Sequence, residues 1–331
     1  MTLKVAIIYN DPLTDEPGRV GEKDAVLAVL GEVSAVRRAC QELNYGCEVI
    51  ALHRPLEEMR RTLSQMRTDI IFNMFEGFGD DPYSEAEVAA MIEEMGLHFT
   101  GNSSQVLELT LDKVRTKEVL KKHGIVTPDY QMLTPQNLSE FRLAFPCIAK
   151  PRDMDASHGL LPESVVHNRQ QLEKQVRRIS SEFRGCALVE EFIDGREFNA
   201  SVIGNKGLEL IEISEILYSL LPELPRILTF DSKWAEDTPY CKGTVAECPA
   251  QVSLALREMI KNVVLNSCRA VGVKGYARVD MRQDAGGNIR VLEVNANPDL
   301  SPELGIALQA EKHGWSYTHL IQKIISVALE S

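Results

Sequence analysis

The sequence lacks the residue patterns that mark several common protein classes. Its seven cysteines are scattered, and no two have the CxxC spacing, so we expect free thiols in a reducing cytoplasm rather than disulfides or a zinc site. The seven histidines form no HExxH pair. No apolar run approaches membrane-spanning length, and the first nine residues predict a buried strand rather than a signal peptide. These absences favour a cytoplasmic protein with no membrane partner.

Positive charge is also scarce. The chain has 36 Lys and Arg against 48 Asp and Glu, which gives a net charge of -12. Such a surplus of negative charge argues against general affinity for nucleic acid or an anionic membrane, although it allows a local basic pocket. The 331 residues, 44% of them hydrophobic, are enough for two or three domains with a large core.

Strands alternate with helices at the start of the chain. Strands are predicted at 3–9, 46–52 and 69–73, and helices at 32–43, 56–67 and 84–95. This alternation predicts a doubly wound α/β domain with a parallel sheet over residues 1–105. The first strand runs into Tyr-Asn-Asp-Pro rather than a glycine fingerprint, so NAD binding has little support.

The rest of the chain predicts two α+β units. The first has a charged helix at 108–123, strands at 129–132, 146–150 and 186–192, and a helix at 168–183. The second has strands at 197–203 and up to about 216, and helices at 251–271, from Ser301 onward and at 316–329. Within the second unit, the segment 217–248 contains several prolines and little periodicity, which is typical of a functional lid or a disordered loop.

The most informative pattern is a hairpin near the end of the chain. Residues 276–282 and 289–295 alternate apolar and polar side chains around a Gly-Gly turn. Paired residues of an antiparallel hairpin have numbers with a constant sum, so Asp280 should face Glu293 and Arg278 should face Asn295. Two carboxylates and an amide oxygen on one face suit Mg²⁺ holding a phosphate, and an adjacent Arg suits developing negative charge. The alternative is an exposed face with an ordinary cross-strand salt bridge.

With these residues in place, the chain resembles the ATP-grasp superfamily and, within it, the D-alanine–D-alanine ligase family. The motifs that carry the resemblance are Glu32-Val33-Ser34, Leu111-Asp112-Lys113, 148–151, 189–197, 230–234 and the hairpin. The resemblance implies an ATP-grasp fold of mixed α/β and α+β class. Its parts would be an N-terminal domain at 1–105, a central lid subdomain at 106–188 and a C-terminal catalytic subdomain at 189–331, the last two clasping ATP.

The resemblance also implies a role for each matched residue. The residues that would bind ATP are Lys113, Lys150, Glu190, Glu191, Ile193, Glu197 and Lys233. Of these, the lysines would bind phosphates, Glu190 and the backbone of Glu191 and Ile193 would bind adenine, and Glu197 would bind the ribose hydroxyls. As alternatives from the residues alone, Lys113 and Lys150 could be solvated lysines, and 190–191 an exposed strand end.

The remaining roles concern metal and substrate. Asp280, Glu293 and Asn295 would hold Mg²⁺, with Mn²⁺ as an alternative. Arg278 would stabilise an acyl phosphate. Ser157 matches a serine of the family's phosphate loop and is a second catalytic candidate. Glu32, which opens the first predicted helix, would hold a substrate ammonium, or would only interact with the helix dipole.

Departures from the family lie around the substrates. Ala156 stands where the family has a serine that orients the first substrate. Asp299 stands where the family has a glycine, and Leu304 lies near the place of a serine that contacts the acceptor's carboxylate. An anionic side chain there would repel a carboxylate and attract an amine, which makes Asp299 a candidate for substrate binding.

The sequence therefore predicts an ATP-dependent carboxylate–amine ligase that acts on small molecules through an acyl phosphate. D-Alanine with D-alanine is the parent expectation, and a different dipeptide or amino-acid conjugate is the alternative. A nucleotide-binding regulator without catalysis and a Rossmann-type oxidoreductase are rivals from other classes. The oligomeric state is left open, with a homodimer as one possibility.

Overall fold

The N-terminal part contains a parallel sheet with helices on both faces. The structure is a computed structural model, and it describes residues 2–11, 22–78, 81–154, 157–183, 185–229, 232 and 238–330. The sheet has the order β2-β1-β3, built from β1 (Lys4–Asn10), β2 (Gly46–Leu52) and β3 (Ile70–Met74). Its helices are α1 (Glu22–Glu42), α2 (Leu56–Gln65) and α3 (Ser84–Glu94).

Successive side chains of β1 point to opposite faces of the sheet, and helices cover both faces. Ile7 packs with α1 and the C-terminal helix, whereas Ile8 packs with α2 and α3. Both isoleucines are completely buried, as expected for a central strand of a parallel sheet. The predicted doubly wound arrangement is confirmed.

A small antiparallel sheet forms the middle of the chain. Its order is β4-β7-β5-β6, from β4 (Tyr130–Leu133), β5 (Cys147–Pro151), β6 (Val165–Val166) and β7 (Ala187–Glu191). Helix α6 (Arg169–Glu182) buries Leu172, Val176 and Ile179 against it, which is the spacing of one helix face.

A five-stranded antiparallel sheet carries the predicted hairpin. Its order is β10-β9-β8-β11-β12, from β8 (Glu197–Ile203), β9 (Glu209–Tyr218), β10 (Thr244–Glu247), β11 (Tyr276–Gln283) and β12 (Ile289–Asn295). The apolar face, which includes Val279 and Met281, packs on α8 (Leu254–Val271). The opposite face therefore presents the polar residues that alternate with them.

Asn102 fixes the hairpin to the N-terminal part. Its amide donates to Tyr276 O and Ala296 O, both at 2.7 Å, and its side-chain oxygen accepts from Lys274 N at 2.8 Å. Gly275 passes so close that a Cβ there would lie 2.7 Å from Gly101 O. This close approach and its φ of +74° both require glycine.

Four predicted elements differ from the structure. The predicted helix at 108–123 is two helices, α4 (Ser104–Leu111) and α5 (Lys113–Lys122), because Asp112 caps the second by accepting from Val114 N and Arg115 N. The helix predicted from Glu32 begins ten residues earlier, at Glu22.

The other two differences lie near the C-terminus. The helix predicted to begin at Ser301 begins at Gly305, as α9 (Gly305–Lys312), and α10 (Tyr317–Leu329) follows. The predicted loop 217–248 contains a short helix, α7 (Pro239–Gly243), and the edge strand β10. In the described part of the chain, no helix is long and apolar enough to cross a membrane.

Candidate active site

The polar face of the five-stranded sheet holds the predicted hairpin residues in the predicted register. Arg278 lies opposite Asn295, and Asp280 lies opposite Glu293. Toward the turn the register shifts by one residue, so that Met281 pairs with Val291 and a β-bulge leaves the intervening Leu292 without a partner in this ladder. The constant sum used in the prediction therefore holds at the site and fails beyond it.

Arg278 binds Asp280 through a two-point contact. The Nε–Oδ1 and Nη2–Oδ2 distances are both 2.7 Å. Burial raises the pKa of the Asp280 carboxyl, although the facing guanidinium opposes that effect. The residue predicted to hold metal and the residue predicted to stabilise anionic charge are thus direct partners, which the sequence did not predict.

The donor set on this face fits a hard cation. Asp280, Glu293 and Asn295 supply two carboxylates and one amide oxygen, the ligands that Mg²⁺ prefers. Asn295 Oδ1 accepts from Asn297 N at 3.0 Å, which fixes the direction of the amide. No group of three His, Cys, Asp or Glu side chains in the described ranges is placed to hold a metal, and the predicted set contains only two such side chains.

Lys113 lies at the start of α5 and points toward the hairpin. It is 5% exposed, its Nζ donates to Met154 O at 2.6 Å, and Glu293 Oε2 lies 3.9 Å away. The alternative of a solvated lysine is therefore wrong. Lys113 and the hairpin, distant in sequence, meet in one site.

A buried triad of charges lies close by. Glu190 Oε1 is 2.8 Å from Lys117 Nζ, and its Oε2 is 2.8 Å from Lys150 Nζ. Burial alone would raise the pKa of Glu190, but the two lysines outweigh it and lower that pKa. Both carboxylate oxygens of the residue predicted to bind adenine thus face ammonium groups. A solvated Lys150 does not fit this arrangement, and an exposed strand end describes Glu191 but not Glu190.

Glu197 is the acceptor in a second buried network of hydrogen bonds. Arg282 lies directly opposite it in the β8–β11 ladder, and Arg282 Nε donates to Glu197 Oε2 at 2.9 Å. The Tyr218 hydroxyl donates to the same oxygen at 2.7 Å. Arg282 Nη1 also donates to Ile193 O at 2.7 Å, so the predicted ribose and adenine residues share one partner.

Glu32 lies in a polar cavity between the N-terminal part and the C-terminal part. The cavity is lined by Glu32, Asn73, Met74, Glu76, Tyr276, Asn297, Pro298 and Leu300. Ser301 Oγ donates to Glu32 Oε1 at 3.2 Å. The pKa of Glu32 is raised to about 11, chiefly by burial and in addition by a hydrogen bond to Asp299 and the nearby charge of Glu76.

The position of Glu32 excludes one of its two predicted roles. It is the eleventh of the 21 residues of α1, at the middle of the helix rather than at its N-terminus, so the helix-dipole explanation is wrong. Its contact with Asp299 brings the two predicted substrate residues together. This pairing places a carboxyl pair where an ammonium group was predicted to bind.

Three predicted residues have less support from the geometry. Lys233 lies outside the described residues. Ser157 follows β5 in a turn with φ of +63°, and the described contacts do not join its side chain to the hairpin. Glu191 has an exposed side chain, and its backbone N donates to Asp129 O at 2.9 Å.

Sequence reasoning missed Lys117, Arg282 and Tyr218. Lys117 is one helical turn after Lys113, so it lies on the same side of α5. Arg282 continues the alternation of Arg278 and Asp280 on β11. Periodicity could therefore have selected Lys117 and Arg282, whereas Tyr218 carried no comparable signal.

Known structures share this arrangement of sheets. The ATP complex of the D-alanine–D-alanine ligase from Bacillus anthracis matches with a TM-score of 0.75, over 100% of this chain and 98% of that one, at 20% sequence identity. At this level of identity the likeness shows that the two chains share a fold.

Sequence comparisons define the family. Residues 119–326 match the family model described as "D-ala D-ala ligase C-terminus". The D-alanine–D-alanine ligase of Actinobacillus succinogenes is 28% identical over 81% of this chain and 83% of its own length. A Sinorhizobium fredii protein described as "Uncharacterized protein y4sG" is 30% identical over 98% of this chain and 97% of its own. The chain belongs to the D-alanine–D-alanine ligase family of ATP-dependent ligases.

Proposed function

We propose that this enzyme joins a small carboxylate to an amine through an acyl phosphate, with Arg278 and the buried lysines at the reaction centre. The observation that carries the proposal is the approach of Lys113 to the hairpin, with Nζ 3.9 Å from Glu293. That approach puts a cation for phosphates beside the Asp280–Glu293 pair. Cationic side chains and metal-binding carboxylates placed together would support phosphoryl transfer by positioning and by electrostatic stabilisation.

Two steps account for the bond changes. A substrate carboxylate oxygen attacks the γ-phosphorus of ATP, the bond to the ADP oxygen breaks, and an acyl phosphate forms. The amine then attacks the acyl carbon, phosphate leaves with the carbon–oxygen electrons, and the nitrogen loses a proton to give the amide. Arg278 faces the negative charge that develops in both steps.

The chain's charged side chains hold the nucleotide in this proposal. Lys113 and Lys150 bind phosphate oxygens, and Glu190 keeps Lys150 in place through their 2.8 Å contact. Asp280, Glu293 and Asn295 would hold Mg²⁺, or alternatively Mn²⁺, which would neutralise phosphate charge when bound. The predicted contribution of Lys233 to the γ-phosphate belongs to the same proposal.

We propose adenine and ribose contacts on the same basis. The backbone of Glu191 and Ile193 would pair with the edge of the adenine ring, with Glu190 accepting from its amino group. Glu197 would accept from the ribose hydroxyls. Support comes from the burial of Glu190 and Glu197, which are 1% and 6% exposed and are held by cationic partners.

The substrate pair is proposed from the cavity around Glu32. D-Alanine is the parent expectation for the first substrate, with its ammonium group at Glu32. Asp299 and Glu32 form a carboxyl pair there, and Leu304 is 58% exposed where a serine was expected. These residues favour a bulkier or amine-bearing acceptor over the free carboxylate of D-alanine. The product would then be a dipeptide or conjugate other than D-alanyl-D-alanine.

A screen for ADP release across D- and L-amino acids, with mass detection of the product, tests this function. We expect ADP release that needs Mg²⁺ and both substrates, and a product equal in mass to the two substrates less one water. ADP release without an amide product would contradict the proposal. Nucleotide binding without turnover of any pair would favour the regulator, and nicotinamide binding would favour the oxidoreductase.

We also propose that the three sheets mark three domains. The predicted ranges are 1–105, 106–188 and 189–331. All of β7, which ends at Glu191, pairs within the middle sheet, so we place the second boundary in the segment between Glu191 and Glu197. A homodimer and a cytoplasmic location remain predictions, and gel filtration would test the first.

A further inference from the structure

Arg282 is a buried cation that touches both predicted nucleotide contacts. It is 3% exposed, and burial of this kind is costly for a charge unless it is paired. Its Nε and Nη2 both donate to Glu197 Oε2, and its Nη1 donates to Ile193 O at 2.7 Å. Nη2 also donates to Arg226 O. One guanidinium therefore joins the ribose carboxylate, the adenine segment and the segment that contains Arg226.

The contacts on Glu197 are uneven. Arg282 and the Tyr218 hydroxyl all donate to Oε2. Within the described residues, no hydrogen bond ends on Oε1 of this carboxylate. The donors on Oε2 fix the plane of the carboxylate and leave Oε1 with its lone pairs available to an outside donor.

We propose that Arg282 is a positioning residue that aims Glu197 Oε1 at the ribose hydroxyls and thereby sets the preference of the enzyme for ribose nucleotides. The inference rests on the proposed binding of ATP by Glu197 and Ile193. Arg282 does not itself touch the nucleotide in this account. Its effect is transmitted through Glu197.

The shape of the guanidinium is essential to this role. Three different acceptors surround it, and its carbon lies 5.3 Å from the centroid of the Phe192 ring. A lysine ammonium is a compact point charge that could replace the contact with Glu197 but could not reach all three acceptors from the same position. Arg282→Lys should therefore preserve only part of the effect.

The test compares two nucleotides that differ only at the ribose. Binding of ATP and of 2′,3′-dideoxy-ATP to the full chain is measured by titration calorimetry in the presence of Mg²⁺. The wild-type protein should prefer ATP by roughly tenfold to a hundredfold, which is the scale for hydrogen bonds to a charged group. Arg282→Met should bind ATP more weakly and bring this ratio close to one.

Matched variants separate positioning from folding. Arg290 lies opposite Arg282 in the β11–β12 ladder and pairs with Asp284 at 2.8 Å, so Arg290→Met removes a neighbouring, more exposed ion pair outside the proposed site. We expect Arg290→Met to keep the wild-type ratio of ATP to 2′,3′-dideoxy-ATP affinity. Glu197→Gln should bring the ratio of ATP to 2′,3′-dideoxy-ATP affinity close to one. Adding Arg282→Met to Glu197→Gln should not change that ratio further.

An unchanged ratio of ATP to 2′,3′-dideoxy-ATP affinity in Arg282→Met would overturn the inference. This includes a loss of affinity by the same factor for both nucleotides, which a purely structural role would produce. Failure of the wild-type protein to bind either nucleotide would overturn the ATP site itself. That result is distinct from an unchanged ratio, which refutes only the role of Arg282.

Discussion

Replacement of Glu32 by glutamine should stabilise the empty enzyme while weakening its substrate binding. Glu32 is buried beside Asp299 and Glu76, and its pKa is raised from 4.5 to about 11. The folded state therefore binds a proton that the unfolded state releases between these two pH values. Stability contributed by this group must fall as pH rises through that window.

The free-energy cost of burying Glu32 follows from the difference between the working pH and the ordinary glutamate pKa of 4.5. At about pH 7, keeping Glu32 protonated in the folded state costs about 3 kcal/mol, since each unit of pH above 4.5 contributes roughly 1.4 kcal/mol. Glutamine has nearly the same shape as protonated glutamate, and because it does not ionise it carries no cost of protonation. Glu32→Gln should therefore raise the free energy of unfolding by up to about 3 kcal/mol near neutrality.

Urea unfolding at about pH 5 and about pH 8 provides the measurement. The wild-type protein should lose stability between these values, and Glu32→Gln should lose clearly less. Glu57→Gln, at an exposed glutamate in α2, is the control and should follow the wild-type curve. A Glu32→Gln protein with the wild-type pH dependence, or with lower stability at both values, would refute the assigned protonation state.

The remaining predictions concern catalysis and selectivity. Glu293→Gln should abolish ADP formation without unfolding the protein, because the predicted metal site loses a charge; circular dichroism and an ADP assay would check this. Arg278→Ala should retain ATP affinity and lower turnover by roughly a hundredfold, and normal turnover would exclude the proposed role. Arg278→Lys, which keeps a charge near Asp280, is its control. Asp299→Gly should improve the use of D-alanine as acceptor, and efficient D-alanyl-D-alanine synthesis by the unmodified enzyme would contradict the reasoning.

Local sequence patterns were sufficient to predict the β11–β12 hairpin and the residues that face each other in it. Alternation along β11 and β12 gave the facing pair Asp280 and Glu293, because the side-chain period of two leaves little freedom of register when one face is buried. The bulge at Leu292 was not predictable, since an extra residue changes the pairing without changing the composition of the strand.

Contacts between distant segments account for what the sequence did not predict. Lys117 belongs to a lysine-rich helix, and only the fold reveals that its ammonium group is buried against Glu190. The break at Asp112 was missed because helical periodicity continues on both sides of the capping residue. The start of α1 was misplaced for a similar reason, since Glu32 looked like a first-turn acid but belongs to a longer helix.

The bonds of Asn102 have a mechanical consequence. A single amide holds backbone groups before β11, within β11 and after β12, so the hairpin cannot shift relative to the N-terminal part without breaking three hydrogen bonds. These two parts therefore behave as a fixed frame for the substrate cavity between them. We therefore expect an opening that admits the nucleotide to come from movement of the four-stranded sheet relative to this frame. In such a movement Lys150, on β5, would move with the four-stranded sheet, whereas Glu293, on β12, would stay with the frame.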